Sequence, residues 1–447
     1  MAQTYLTRTN SGTGSETKGT FSAWIKRGVL GGSSDYIWHT SEDTNNDIKI
    51  LTNSSDSIRI RGINNGTAVV NLIPNNLFRD VSAWYHLVVA FDTTQSTEAD
   101  RIKMYVNGVQ ITSFSTAVYP SQNLNLKLNQ SGDRRTIGTA YDNGGSPSNA
   151  YWNGSMSHIH WVDGTAYPAS TFGETDATTG EWKIKTSPSV TYGTNGFFIL
   201  KDGNSVTDQS GNSNNFTVAG GTLTNTEDCP DNVFATLNPL NAFYTNDTFS
   251  NGNNTVVTGS STTGSKATFV INTGKFYWEV KVISKTAGID EYLVGIVGSE
   301  SVATNNFVGQ GSDGYGYYGA SGAMYNNAAS SSYGASYTAG DILGIALDCT
   351  NSKLYIHKNG TYQASGNPTA GSGGLTIVAP SATGLGGYYP SATLWNTNSA
   401  TFSYNFGNGY FGTTAVASAG TNASGNGVFE YDVPTGYTAL STKGLNL

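Results

Sequence analysis

The sequence of 447 residues is short of charge: Lys, Arg, Asp and Glu together make up 12% of it. Disordered chains are also poor in aromatics, because they have no core in which to bury them. This chain carries 26 Tyr, 18 Phe and 8 Trp, so a packed interior is expected. Basic charge is scarcer still. Twenty-three Lys and Arg against 31 Asp and Glu give a net charge of −8, and the basic residues are scattered apart from pairs such as Lys26-Arg27 and Arg134-Arg135. Binding to a phosphate backbone needs a basic stripe, so nucleic acid is not an expected partner. No run of eighteen apolar residues occurs, which argues against membrane insertion. Cys229 and Cys349 are the two cysteines, too few for a disulfide framework or a zinc set. Cys349 lies in an apolar run and reads as a buried thiol. Residues 1–10 are polar and lack the apolar stretch of a signal peptide, which predicts synthesis in the cytosol and exit, if any, by another route.

Helical periodicity and short repeats are equally scarce. What fills the chain is alternation of apolar and polar residues over four to eight positions, bounded by Gly, Asn, Asp or Pro, the pattern of short strands joined by tight turns. In the first half it predicts strands at 21–26, 47–51, 57–62, 84–92, 102–106, 136–138, 155–162 and 197–201. Asn64-Asn65-Gly66 and Asn107-Gly108 supply hairpin turns, which need positive φ. The spacing suits a two-sheet sandwich. Strands are predicted again at 275–283, 291–298, 314–319, 341–348, 353–358 and 400–407, with a closing segment at 431–440. Between the halves, EDCPDNVFATLNPLN at 227–241 shows no alternation and reads as an ordered crossing segment. The expected division is a sandwich over 1–226, an extended linker over 227–260 and a second sandwich over 261–447.

Particular blocks carry family resemblances. FSAWIK at 21–26, WYHLVVAFD at 84–92, KMYVNG at 103–108 and WNGSMSHIHW at 152–161 resemble, in order and spacing, strands of laminin-G-like jelly rolls. In the second half, FYWEV at 276–280, GDILGIALD at 340–348 running into KLYIHKNG at 353–360, FSYNFG at 402–407 and PTGY at 434–437 are similar to blocks of SPRY domains. The DILG strand is apolar on both faces, as a sandwich-core strand should be. The resemblances imply an all-β protein of two concanavalin A-like (jelly-roll) β-sandwiches in tandem. The tandem itself, with AQTYLTRT at 2–9 ahead of it and DNVFATLNP at 231–239 between its members, resembles tail-fibre or appendage proteins of marine bacteriophages. That resemblance implies a place on the virion surface, in the tail or as a capsid appendage.

No nucleophile motif of the Gly-x-Ser-x-Gly kind and no His-Glu-x-x-His occurs, and nothing singles out a carboxylate pair for glycoside cleavage, with Glu279 and Asp290-Glu291 as candidates. A non-enzymatic binding protein is therefore expected. His158 and His160, two apart on a predicted strand, share one face and are candidate metal ligands, as on some phage spike tips; the alternative is a structural pair. The loop from Asp202 to Asn212, with Asp202 and Asp208, offers hard oxygens for calcium, unless these residues cap turns. Tyrosines among glycines in the second half have a paratope-like composition, and Tyr388, Tyr389 and Trp395 are the candidate ligand-binding aromatics. Two partner classes follow: a host cell-surface glycan or protein held by sandwich loops, or, for a decoration or connector subunit, neighbouring virion proteins. A homo-oligomer is expected, a trimer by analogy with phage fibres.

Overall fold

Strands dominate because so many residues are β-branched or aromatic and so many turns can take positive φ. A computed structural model describes residues 3–32, 34–43, 45–141, 145–201, 203, 205–241, 247–258, 263–299, 307–394 and 398–446. Contacts divide the chain into two units, Met1–Asn225 and Thr226–Leu447.

In the first unit one sheet has the strand order Phe114–Val118, Thr67–Pro74, Ile58–Asn64, Asn46–Thr52, Tyr36–Asp43, Arg134–Ile137, Tyr5–Thr9, Thr217–Gly220. The facing sheet runs Phe197–Ile199, Gly154–Asp163, Lys18–Arg27, Trp84–Asp92, Ile102–Val106, Val109–Ile111. Inward residues of both make the core. Trp38 stacks on Trp161 with ring centres 5.0 Å apart, and Phe21 and Phe91 complete the cluster. Each such ring removes roughly 150–250 Å² from water. The outer face of the second sheet is covered as well: Val88 and Val162 pack against Ala169 and Phe172, with Tyr105, Trp182 and Tyr192 around them. Burial on both faces is why LVVAF at 87–91 reads as a continuous apolar run.

The second unit repeats the plan. One sheet runs Thr248–Ser250, Thr255–Val257, Ala400–Asn405, Lys275–Lys285, Ile342–Asp348, Lys353–Lys358, Thr361–Tyr362. The other runs Thr263–Lys266, Tyr389–Leu394, Tyr292–Val297, Gly314–Tyr318, Ala323–Asn326, Ala329–Ser332. Alternation along Lys275–Lys285 sends Phe276, Trp278, Val280 and Val282 into the main core, where Tyr292, Tyr317 and Tyr337 pack ring to ring. It sends Tyr277 to the opposite face, into a smaller cluster with Phe429, Val433 and Tyr437.

The all-β tandem of sandwiches is as expected. The described part of the segment 227–260 differs from a linker: it groups with the second unit. Phe234 and Leu237 are buried, and Thr248–Ser250 pairs with Thr255–Val257, which pairs in turn with Ala400–Asn405. Polar composition concealed these short strands. Among the described residues no helix is long and apolar enough to cross a membrane.

Candidate binding cleft

Tyr5–Thr9 lies between two neighbours of unequal length. With Arg134–Ile137 it pairs as far as Thr9↔Arg134, but with Thr217–Gly220 only as far as Thr7↔Thr217. Arg8 and Thr9 therefore have a ladder on one side only, and a notch opens in the sheet edge beside them. The notch is the end of a cleft of about 550 Å³, lined by Thr7, Arg8, Thr9 and Ser11, by Arg134 and Tyr141, and by Ser213, Asn214, Asn215 and Thr217. These described lining residues include two guanidinium groups and no carboxylate.

The floor is rigid. Arg8 is buried, and its Nη1 donates to Asn10 Oδ1 (3.2 Å) and the Asn195 carbonyl (3.3 Å), while Nη2 donates to Asn214 Oδ1 (2.5 Å). Asn214 Nδ2 in turn donates to the carbonyls of Thr194 (2.9 Å) and Gly196 (2.8 Å). Burial pushes Arg8 down to about 10, against the pull of Asp208, so it remains a cation at neutral pH. The rim is different. Arg134 is half-buried, stacks its guanidinium 4.0 Å above the centre of the Tyr141 ring and makes one long hydrogen bond, 3.4 Å, to the Gly145 carbonyl. Most of its fork is left for a ligand. Burial and the hydroxyl of Tyr5 raise Tyr141 to about 12, so its phenol stays neutral. Asn215 is exposed and spends its Oδ1 on the Asp208 N–H (2.8 Å). Such a lining donates hydrogen bonds and attracts negative charge; it pairs no nucleophile with a base.

Alternation explains how adjacent arginines come to differ. Arg134 faces out, while Arg135 is fully buried, 4.7 Å from the Trp161 ring centre, donating to Asn10 Oδ1 (2.9 Å), Asn129 Oδ1 (2.6 Å) and the Leu128 carbonyl. Sequence reasoning noted this pair as an exception among scattered basic residues but gave it no role. The signal was there, because two consecutive arginines on one strand must put one side chain on each face.

The expected site residues fare otherwise. Tyr388 is buried in the second core with its hydroxyl on the Val378 carbonyl (2.7 Å), so it is a packing residue and no loop anchor. Tyr389 begins a sheet strand and packs, half-buried, against Leu293, Val297, Phe307 and Val308. Trp395 and Asp202 lie outside the described residues. Asp208 is a turn cap: Oδ1 accepts from the N–H of Phe198 and Ser210, and Oδ2 from Ser210 Oγ and the Asn214 N–H, all within 2.9 Å. Its lone pairs are committed to these donors, which removes it as a calcium ligand. His158 and His160 share a face as expected, both rings packing on Phe198 with centres 5.7 and 3.9 Å away, but a β-bulge falls between them. Ser157 pairs with Trp24 and His160 with Ser22, leaving His158 as the extra residue at φ +49°. His158 Nδ1 bonds Ser157 Oγ (2.7 Å), and His160 Nδ1 bonds the Tyr192 hydroxyl (2.9 Å). Among the described residues no three His, Cys, Asp or Glu side chains converge as a metal site would require.

Glu279, a carboxylate candidate for hydrolysis, is a clip. It is fully buried, with Oε1 accepting from the Tyr277 hydroxyl (3.1 Å) and Tyr431 N–H (2.8 Å) and Oε2 from Glu430 N–H (2.9 Å) and Asn405 Nδ2 (3.2 Å). His357 continues the row. Its Nδ1 accepts from Gly360 N–H (3.1 Å), so the proton sits on Nε2 and is donated to Tyr277 Oη (2.7 Å). Register puts Glu279, Gly344 and His357 side by side, and Gly344 leaves the room: a Cβ there would stand 1.9 Å from His357 Nε2. Asp290 bonds Tyr292 (2.7 Å) and Lys285 (3.0 Å) instead of approaching Glu279.

Fold and cleft together define a tandem of sandwich domains of the kinds often used as binding modules. Residues 2–170 match the concanavalin A-like lectin/glucanases superfamily, and residues 275–408 match the SPRY domain; the chain carries a concanavalin A-like domain followed by a SPRY domain. Among curated relatives, Ran-binding protein 9 and Ran-binding protein 10 of Danio rerio are 33% and 32% identical over 88 residues. Ran-binding protein 9 of Homo sapiens is 32% identical. That stretch is 20% of this chain and spans 14% of each zebrafish relative and 12% of the human one. Among solved structures, the SPRY domain of human HERC1 is 18% identical, with 38% of this chain and 96% of that one covered and a TM-score of 0.29. The SAP-like pentraxin of Limulus polyphemus is 17% identical, with 38% and 73% covered and a TM-score of 0.29.

Proposed function

We propose that this chain is a non-enzymatic binding protein displayed on the surface of a bacteriophage particle, of the tail-fibre or appendage type, which holds a host-surface glycan or protein. The observation that carries the binding half is the cleft at the sheet edge, whose hydroxyls, amides and guanidinium groups present donors on a pre-organised floor. The virion half is supported by the resemblance of the tandem to phage appendage proteins. Assembly as a homo-oligomer, a trimer by the same resemblance, belongs to the reading.

The test has two arms. Incubation of the full chain with host-surface polysaccharide is expected to give retention without new reducing ends. Released oligosaccharide, abolished by removing a carboxylate pair, makes the protein a depolymerase and overturns the non-enzymatic reading. Imaging intact particles by electron cryo-microscopy is expected to place the chain on the tail or head surface; particles that lack it overturn the virion half. Density that bridges particle proteins, without retention of any host material, makes it a connector.

A further inference from the structure

We propose that the cleft beside Arg8 and Arg134 is a calcium-independent site for an acidic polysaccharide, with the anionic group on the Arg134 fork and the sugar hydroxyls on Thr9, Asn215 and their neighbours. The inference rests on the binding reading above and names its ligand class.

Three observations converge on it. The first is charge: in a chain of net charge −8, the described residues lining this cleft include Arg8 and Arg134 and no Asp or Glu, with Arg134 facing out and Arg8, paired with Arg135, turned to the buried face. A neutral sugar needs no such imbalance, whereas a uronate or sulfate ester is held by it. The second is the division of labour between the arginines. Arg8 is fully engaged with Asn10, Asn195 and Asn214 and acts as a fixed positive charge under the floor. Arg134 keeps most of its planar fork open, and its plane is set by the Tyr141 ring 4.0 Å away. A fork held flat in this way matches the geometry of a carboxylate or sulfate. The third is the composition of the remaining lining, Thr7, Thr9, Ser11, Ser213, Asn215 and Thr217, which offers short hydroxyls and amides to a polyhydroxylated chain. Because the guanidiniums supply the positive charge, no bridging cation is needed.

The experiment measures binding of the full chain to polygalacturonate, dextran sulfate, neutral dextran and poly-glutamate, each with and without EDTA. Polygalacturonate or dextran sulfate is expected to bind, and the better of the two tells whether the anion is carboxylate or sulfate. Binding should be unchanged by EDTA and should weaken about tenfold or more in Arg134→Gln, since a hydrogen bond to a charged group is lost. Arg134→Lys should fall between, keeping charge but losing the fork. Asn215→Asp, at an exposed position and keeping the Oδ1 that accepts from the Asp208 N–H, puts a like charge into the cleft and should weaken binding. Lys353→Gln, in the other unit, should change nothing. The inference is overturned by equal binding of neutral dextran, by loss in EDTA, or by the same loss in Lys353→Gln as in Arg134→Gln. Poly-glutamate binding with the same Arg134 dependence overturns the saccharide class in favour of an acidic protein. Binding by none of these probes, in a chain found on particles and retaining host material, sinks the cleft assignment and leaves the proposed function standing.

Discussion

Each unit buries a charge that no opposite charge reaches within 4 Å among the described residues, yet the two surroundings lead to different places. In the first unit Arg135 shares Asn10 with Arg8, and Arg8 reaches Asn214 in the floor of the cleft; the polar network starts beside Trp38 and Trp161 and ends at the lining of the cleft. In the second unit Glu279 holds the backbone of Glu430 and Tyr431, and Phe429, Val433 and Tyr437 close over the same face. The first network supports a surface, and the second fastens a covering segment. A buried charge is thus no pointer to a site by itself; what separates the two is whether the hydrogen-bonded chain of side chains comes out.

The comparison can be broken most severely at its closed end and at its root. Gly344→Ala puts a Cβ on His357 Nε2 and 2.5 Å from the Tyr277 hydroxyl, in a row that has nowhere to move. Overpacking of this kind costs about 1–3 kcal/mol, and the orphaned polar groups add about 1–3 kcal/mol more. Arg135→Gln strands Asn10, Asn129 and the Leu128 carbonyl and removes the cation over Trp161; each buried polar group left without its partner costs about 1–3 kcal/mol. Denaturant midpoints of the purified variants measure both. A Gly344→Ala protein as stable as the parent would mean that the Tyr277–His357 row is not packed as described.

Acid and base separate the units next. Burial raises Glu279 to about 7, above the ordinary 4.5, against four hydrogen-bond donors that pull it down. Folded protein then holds a proton that the unfolded chain has lost, so this group's contribution falls as pH rises from about 4.5 to 7, and Glu279→Gln should flatten that fall. In the first unit burial lowers His86 to about 3, with Trp182 Nε1 donating to Nδ1 and Nε2 donating to Ser22 Oγ (both 2.9 Å). Its neutral ring is fully stabilising above 6.5, and stability drains as pH drops from 6.5 toward 3, by about 1.4 kcal/mol per pH unit. His86→Gln should flatten this slope, which has the opposite sign. Denaturation of separately expressed 1–225 and 226–447 at pH 5, 6.5 and 8 reads both, each half having its own core. Slopes unchanged in the two variants would show that other groups set the pH dependence.

What was legible follows the same division. Strands Trp84–Asp92, Ile102–Val106 and Lys353–Lys358 were found to the residue, because an apolar run bounded by Asn-Gly or Asp signals its own ends. Tyr36–Asp43 was missed because half of it is polar or charged, and its outward His39 is hidden by backbone contact with Tyr141, which no local pattern reports. Tyr389–Leu394 was missed, the neighbourhood of Tyr388 and Tyr389 being read as loop; the strand carries Pro390, a residue that argues against an interior strand. The structure tolerates it there because pairing with Thr263–Lys266 stops at Ser391, one residue short of the proline. The candidate residues Tyr388 and Tyr389 fell with that misreading. The cleft itself was not legible, since it is made by one strand ending early beside another, a fact about register and not about composition.

The smallest effect tests that last point most directly. Arg134 is the sequence neighbour of Arg135, with the same charge, yet among the described residues its side chain is held by one hydrogen bond of 3.4 Å and a stack on Tyr141. A long neutral-acceptor bond contributes little, and a partly exposed cation–π contact about 0.5–1 kcal/mol. Arg134→Gln should therefore shift the unfolding free energy by no more than about 1 kcal/mol, several-fold less than Arg135→Gln. If the two substitutions proved equally destabilising, Arg134 would be holding the fold together, and its open fork could not be what the cleft offers to a ligand. If Arg134→Gln stabilised the protein, the parent would be carrying an unfavourable guanidinium at its surface, as expected where a residue is kept for what it binds.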